Sequence, residues 1–137
     1  MRFQGILRRD GNLWLAEVPV FDALTQGRSR KGALAMVADW FITMVDRKGF
    51  TVEVEAVGRE TFEVSAADAR SMISLMLQRQ QSGLSLAQVA QRLGVKSRNA
   101  YARYEQGVSV PTIEKLDELL RAVAPGRDLV LLQSAAT

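Results

Sequence analysis

The sequence predicts an α+β protein in two parts: a small β-β-β-α-β sheet-plus-helix domain over residues 1–66, then an all-α helix-turn-helix domain over residues 67–137. Three observations carry that expectation. Apolar residues alternate on either side of a strong turn signal in the first part. Between residues 33 and 45 they recur every three or four positions. From Ser65 onward the spacing is helical throughout. A chain of 137 residues is long enough for two modest cores, and 47% hydrophobic content fits a folded protein.

Phe3, Ile6 and Leu7 belong to an opening strand that ends at Asp10-Gly11-Asn12, where positive φ at glycine makes a hairpin turn. In LWLAEVPV, residues 13–20, Trp14, Ala16 and Val18 alternate with Leu13, Leu15 and Glu17. A third short strand is expected through Ala23, Leu24 and Thr25. The helix that follows carries Ala33, Leu34, Val37, Trp40, Phe41, Met44 and Val45 on one broad apolar face, which reads as core rather than as a cofactor pocket. Phe50, Val52, Val54 and Ala56 then alternate with Thr51, Glu53 and Glu55 as a half-buried strand. Phe62 and Val64 extend the sheet after a turn at Gly58.

The second part opens with a helix containing Met72, Ile73, Met76 and Leu77, ended near Gln81-Ser82-Gly83. Ser85 and Gln88 have the spacing of a capping box, with Leu84 and Val89 as a hydrophobic staple. The second helix buries Val89, Ala90 and Leu93 and stops at Gly94. A third begins near Ser97 and turns Tyr101 and Tyr104 inward. Pro111-Thr112 opens a fourth with Ile113, Leu116, Leu119 and Leu120 inside, and Pro125-Gly126 ends it. DLVLL at 128–132 reads as a strand or a pairing arm, so the dimer contact is expected there or on the fourth helix.

Composition removes several chemistries. Without cysteine or histidine there are no disulfides and almost no ligands for zinc; no metal and no cofactor is expected. No apolar run is long enough for a membrane span, and charges interrupt MRFQGILRRDG, so a cytoplasmic protein is expected. Asp10, Glu17, Asp22 and Asp39 fall in a turn, on a strand, in a loop and on a helix. They read as surface charges rather than as a nuclease metal cluster, and no enzyme activity is expected.

The charge is unevenly spread. Residues 1–67 hold nine Lys+Arg against nine Asp+Glu; residues 68–137 hold nine against six, so the whole +3 excess lies there. Residues 92–103 contain four basic residues and no acid. A basic cluster in an otherwise balanced chain is the footprint expected for nucleic acid. On a helix whose tyrosines face inward, Lys96, Ser97, Arg98, Asn99, Ala102 and Arg103 are left facing outward. Arg suits guanine O6 and N7, and Asn suits adenine N6 and N7. Arg92 and the two helix starts, at Ser85 with its partner Gln88 and at Thr112, are suited to phosphates. Binding of operator DNA as a homodimer or homotetramer is the expected mode.

The segment from about Ser71 to Val123 resembles the Cro/phage-repressor (XRE) helix-turn-helix. The likeness lies in five-helix-like spacing, in the Leu86-to-Gly94 helix, in Tyr104-Glu105-Gln106-Gly107 and in Pro111. One residue more than the usual spacing separates Gly94 from Glu105, and it is placed in the Lys96–Asn99 turn. Residues 3–45, through Val18-Pro19 and Thr25-Gln26-Gly27, are similar to HicB antitoxins, which join a partial RNase H-like domain to a DNA-binding domain. That resemblance implies binding and blocking of a HicA-like ribonuclease toxin and repression of the protein's own operon. The chain departs from it at Arg28-Ser29-Arg30-Lys31-Gly32, where the pattern supplies acids. Arg28, Arg30 and Lys31 are therefore candidates for contact with a partner or an anion. A stand-alone repressor, with an N-terminal domain for oligomerisation or ligand sensing, is the alternative.

Overall fold

Alternating residues and a two-residue turn build the first hairpin. In the computed structural model, β1 (Arg2–Asp10) and β2 (Leu13–Val18) pair antiparallel, Asp10 facing Leu13, with Gly11 at φ +60°. The structure describes residues 1–81, 84–93 and 98–131, with the side chains of Leu86, Ala90, Arg98, Asn99 and Ala100 outside that description. The chain divides into two compact units, Met1–Ala69 and Arg70–Thr137.

In the first unit a single 3₁₀ turn, Pro19–Phe21, leads into β3 (Ala23–Gly27). The helix α1 (Arg30–Val45) and two further strands, β4 (Glu53–Ala56) and β5 (Thr61–Ser65), complete a five-stranded sheet. Its order is β3-β2-β1-β5-β4, and every pair is antiparallel. α1 lies on one face and buries Ala33, Val37 and Phe41. Phe3, Phe21 and Phe41 meet edge to face at 4.9 and 4.8 Å, the geometry that ring quadrupoles favour. Two glycines let backbones or rings approach closely. A Cβ on Gly5 would stand 2.1 Å from the Phe62 ring, and one on Gly27 would stand 2.4 Å from the amide nitrogen of Ala33. Beside Gly27, the buried Thr25 hydroxyl donates to the Ala33 carbonyl at 3.1 Å. Thr25-Gln26-Gly27 is thus the seam that holds the first turn of α1 onto the sheet.

Two sequence expectations change here. The strand expected from Phe50 is only Glu53–Ala56, because Gly49 at φ +81° and the Phe50 N–H bonded to the Arg47 carbonyl turn the chain first. Phe50 is buried ahead of the strand instead. Met44, assigned to the buried face of α1, is exposed, as are Met36 and Ile42. The helix is apolar on more than one side, and the sheet covers only one.

In the second unit, α2 (Ala69–Gln80), α3 (Leu86–Leu93), α4 (Arg98–Glu105) and α5 (Ile113–Val123) follow in order, four helices among the described residues where the family spacing suggested five. Met72, Leu77, Val89, Tyr101, Leu119 and Val123 form the buried cluster. Ile113, expected inside, is 71% exposed at the first residue of α5. Leu116 and Leu120 are half-buried. Asp128–Leu131 is exposed and carries no regular element, so no strand forms over the described part of 128–132. No helix among the described residues is long and apolar enough to cross a membrane.

Candidate nucleic-acid interface

The second unit is built to fix α4. Its start lies beyond a capped helix: the Ser85 N–H donates to Gln88 Oε1 at 2.9 Å and the Gln88 N–H donates to Ser85 Oγ at 3.2 Å, a reciprocal capping box at the head of α3. α3 packs against both α4 and α5. The head of α5 is capped likewise, the Lys115 N–H donating to Thr112 Oγ1 at 3.2 Å. Ser85, Gln88 and Thr112 are all exposed, so both helix starts face solvent, but their side chains already serve the backbone.

The far end of α4 is closed by a Schellman motif. The Gly107 N–H reaches the Tyr104 carbonyl at 3.1 Å, the Val108 N–H reaches the Arg103 carbonyl at 2.9 Å, and Gly107 sits at φ +74°. This gives Tyr104-Glu105-Gln106-Gly107 its physical meaning: only glycine enters the left-handed region there without strain. The same end is tied to α2, where Gln78 Nε2 donates to the Glu105 carbonyl at 2.8 Å and Ser74 Oγ donates to the same oxygen. Sequence reasoning missed this tie. Its signal was two polar residues, Ser74 and Gln78, interrupting a helix with a strong apolar face.

Of the two tyrosines assigned to the wedge, Tyr101 fills it and Tyr104 is only half-buried. Glu105 stands four positions after Tyr101 on α4, so both rise from one face. The Tyr101 hydroxyl is buried without a hydrogen-bond partner among the described residues. Burial, reinforced by the Glu105 carboxylate, holds its proton well beyond the usual phenol range. Burial also raises the Glu105 carboxyl above its ordinary value.

Arg103 points into solvent from the last turn of α4, and the described residues offer it no ion-pair partner. Ala102 beside it is half-buried. Lys96 and Ser97 lie outside the described residues. For Arg98 and Asn99 the structure gives the backbone, at the first turn of α4. Arg92 is exposed, and its guanidinium approaches the Ala122 carbonyl at 3.5 Å, near the C-terminal end of α5 where a cation complements the helix dipole. In the first unit, Arg28 and Lys31 are exposed, while Arg30 is engaged internally, donating to the carbonyls of Gly58 at 3.3 Å and of Arg59. The acids Asp10, Glu17, Asp22 and Asp39 belong to no cluster of metal-ligating residues among the described ones.

A comparison with curated proteins gives no significant match. A family described as Helix-turn-helix does match, over residues 75–123, which takes in the second half of α2 and all of α3, α4 and α5. The second unit therefore contains a helix-turn-helix of the Cro/XRE type, the kind of domain that binds DNA in the regulation of transcription.

Proposed function

We propose that this protein is an autorepressing antitoxin of the HicB type. The second unit binds operator DNA as a homodimer or homotetramer, and the first unit binds and neutralises a HicA-like, mRNA-cleaving toxin. The observation that carries the DNA reading is the exposed Arg103, without an ion-pair partner among the described residues, on a helix fixed at one end by the Schellman closure and underneath by Tyr101. The fixed helix presents the guanidinium, whose planar fork loses less entropy per hydrogen bond formed with a guanine or a phosphate than a flexible ammonium would. On this reading Lys96, Ser97, Arg98 and Asn99 are further candidates for contact with the bases, and Arg92, Ser85, Gln88 and Thr112 are the candidates for the phosphates.

Support for the toxin reading comes from the first unit, whose strand-hairpin-strand-helix order and Thr25-Gln26-Gly27 seam follow the HicB likeness. Arg28 and Lys31 are the exposed candidates for the partner contact, while Arg30 supports the helix start from within.

One observation favours the second reading, a stand-alone repressor. The Thr25-Gln26-Gly27 contacts, which carry the likeness, and the bonds of Arg30, a partner-contact candidate, are both made within the first unit, so these features also have a purely architectural use. An electrophoretic shift of the full chain with the DNA upstream of its own gene, with and without the product of the neighbouring gene, separates the readings. A shifted band that the partner alters or supershifts supports the antitoxin. A shift indifferent to any neighbouring product supports the stand-alone repressor, and no shift removes both.

A further inference from the structure

A groove of about 520 Å³ opens on the first unit between α1 and the edge strand β4. Leu34, Ala35 and Ala38 form one wall, Val54 and Ala56 the other, and Lys31 stands at the mouth. The small alanine side chains leave the space between helix and strand unfilled. β4 also has a free edge. The Val57 N–H donates to the Thr61 carbonyl, and in an antiparallel ladder hydrogen-bonded and non-bonded pairs alternate. With Val54 opposite Val64 and Ala56 opposite Phe62, the backbone groups of Val54 and Ala56 therefore point away from β5. An edge of this kind is a template for another strand, and β4 carries no proline to block it.

The second unit supplies a segment of matching chemistry. Arg127 is held in place, its N–H on the Ala124 carbonyl at 3.1 Å and its guanidinium on Gln80 Oε1 at 3.4 Å. Over Asp128–Leu131 the chain has no regular structure, and Leu129, Val130 and Leu131 are 40%, 75% and 84% exposed. Three successive aliphatic side chains in water, led by an acid, are unfavourable for a surface and suited to pairing as a strand.

We propose that the Asp128–Leu131 arm of a second copy of this chain adds to β4 as a sixth strand. Charge sets its direction. Arg30 bonds the carbonyls of Gly58 and Arg59, so the cationic mouth lies just past the Ala56 end of β4. An antiparallel arm places Asp128 at that mouth, beside Lys31, and runs its aliphatic residues toward Val54. Alternate side chains then enter the groove, against Ala35 and Ala38. The occupant is a copy of this chain rather than a basic partner because the mouth is cationic and the arm brings the acid it lacks.

The absence of native cysteine permits a direct test on the full chain. Val54→Cys is combined in turn with Val130→Cys and with Leu131→Cys, since alternation puts one of the two on the groove side. Under mild oxidation one of these double variants is expected to run mostly as chains joined through an interchain disulfide on non-reducing gels. Adding Ala38→Lys, which fills the groove with a charged stem, is expected to abolish the product. Adding Lys31→Glu, on the exposed helix start, is expected to slow its formation at least threefold. A control with Gly11→Cys in place of Val54→Cys should give little. Disulfide confined to single chains, no disulfide in either double variant, equal joining in the control, or joining unchanged by both Ala38→Lys and Lys31→Glu overturns the proposal. The readout involves neither DNA nor toxin, so its failure leaves the proposed function standing.

Discussion

Arg30 lies over the indole of Trp14, 5.6 Å from guanidinium carbon to ring centroid, while its NH2 group reaches across to the turn between β4 and β5. Arg9 approaches the same ring at 6.0 Å. A cation at a helix start opposes the helix dipole by a few tenths of a kcal/mol. Here the stacking and the carbonyl contacts outweigh that cost. Arg30→Ala is expected to destabilise the protein by about 1 kcal/mol. Arg28→Ala, at an exposed site, should leave stability unchanged. Urea unfolding followed by tryptophan fluorescence measures both, and equal midpoints for the two variants would remove the strap.

On the proposed function Arg103→Ala weakens operator binding by about 1–3 kcal/mol if the guanidinium reads a base. If it holds a phosphate instead, the loss is similar on all sequences and the log–log salt slope falls by about 0.9. Fluorescence anisotropy with operator and scrambled DNA at several salt concentrations distinguishes the two. Unchanged affinity on both DNAs would take Arg103 out of the interface.

Tyr101 fills the wedge with its ring but buries a hydroxyl that finds no partner among the described residues. Tyr101→Phe is therefore expected to stabilise the protein by about 1 kcal/mol, since an unmet buried donor is costly. Tyr101→Ala should cost about 3–5 kcal/mol by cavity formation. Thermal unfolding of the two variants checks the pair of signs. A Phe variant less stable than the native chain would mean that the hydroxyl is satisfied in solution.

Glu105 gives a pH dependence of definite sign. Burial raises its carboxyl above 4.5 in the fold, so the folded chain holds the proton more tightly than the unfolded one. The stability linked to this group is fully present below pH 4.5 and is lost as pH rises through the raised folded value. Glu105→Gln lacks that loss. Its unfolding midpoint should match the native chain in acid and exceed it increasingly toward neutral pH. A gap that shrinks on raising the pH would reverse the assignment.

The sequence made the hairpin at Gly11 and the capping box at Ser85 legible because each is set by contacts a few residues apart. Thr25-Gln26-Gly27 was visible as a pattern, but its purpose was not. That depends on the backbone of Ala33 arriving within 2.4 Å of where a Cβ would stand on Gly27, a tertiary fact. Arg30 was read from its local helix start, and its partners at Gly58 and Arg59 lie 28 and 29 residues away. Tyr104 was placed inward with Tyr101 by spacing alone. A three-residue step turns a side chain about 60° around the helix, which is enough to leave the core. Ile113 and Met44 failed for the same kind of reason, because periodicity shows which face is apolar and not how far a neighbour covers it.

Ser85 and Gln88 complete one another, and Thr112 completes the first turn of α5, so the rods around α4 are finished without any polyanion present. On the proposed function, the frame and the lettering are then separable. Exchanging Arg103 or its outward neighbours would retarget the molecule to a different site while melting behaviour stays the same, which makes this fold a ready host for altered-specificity variants.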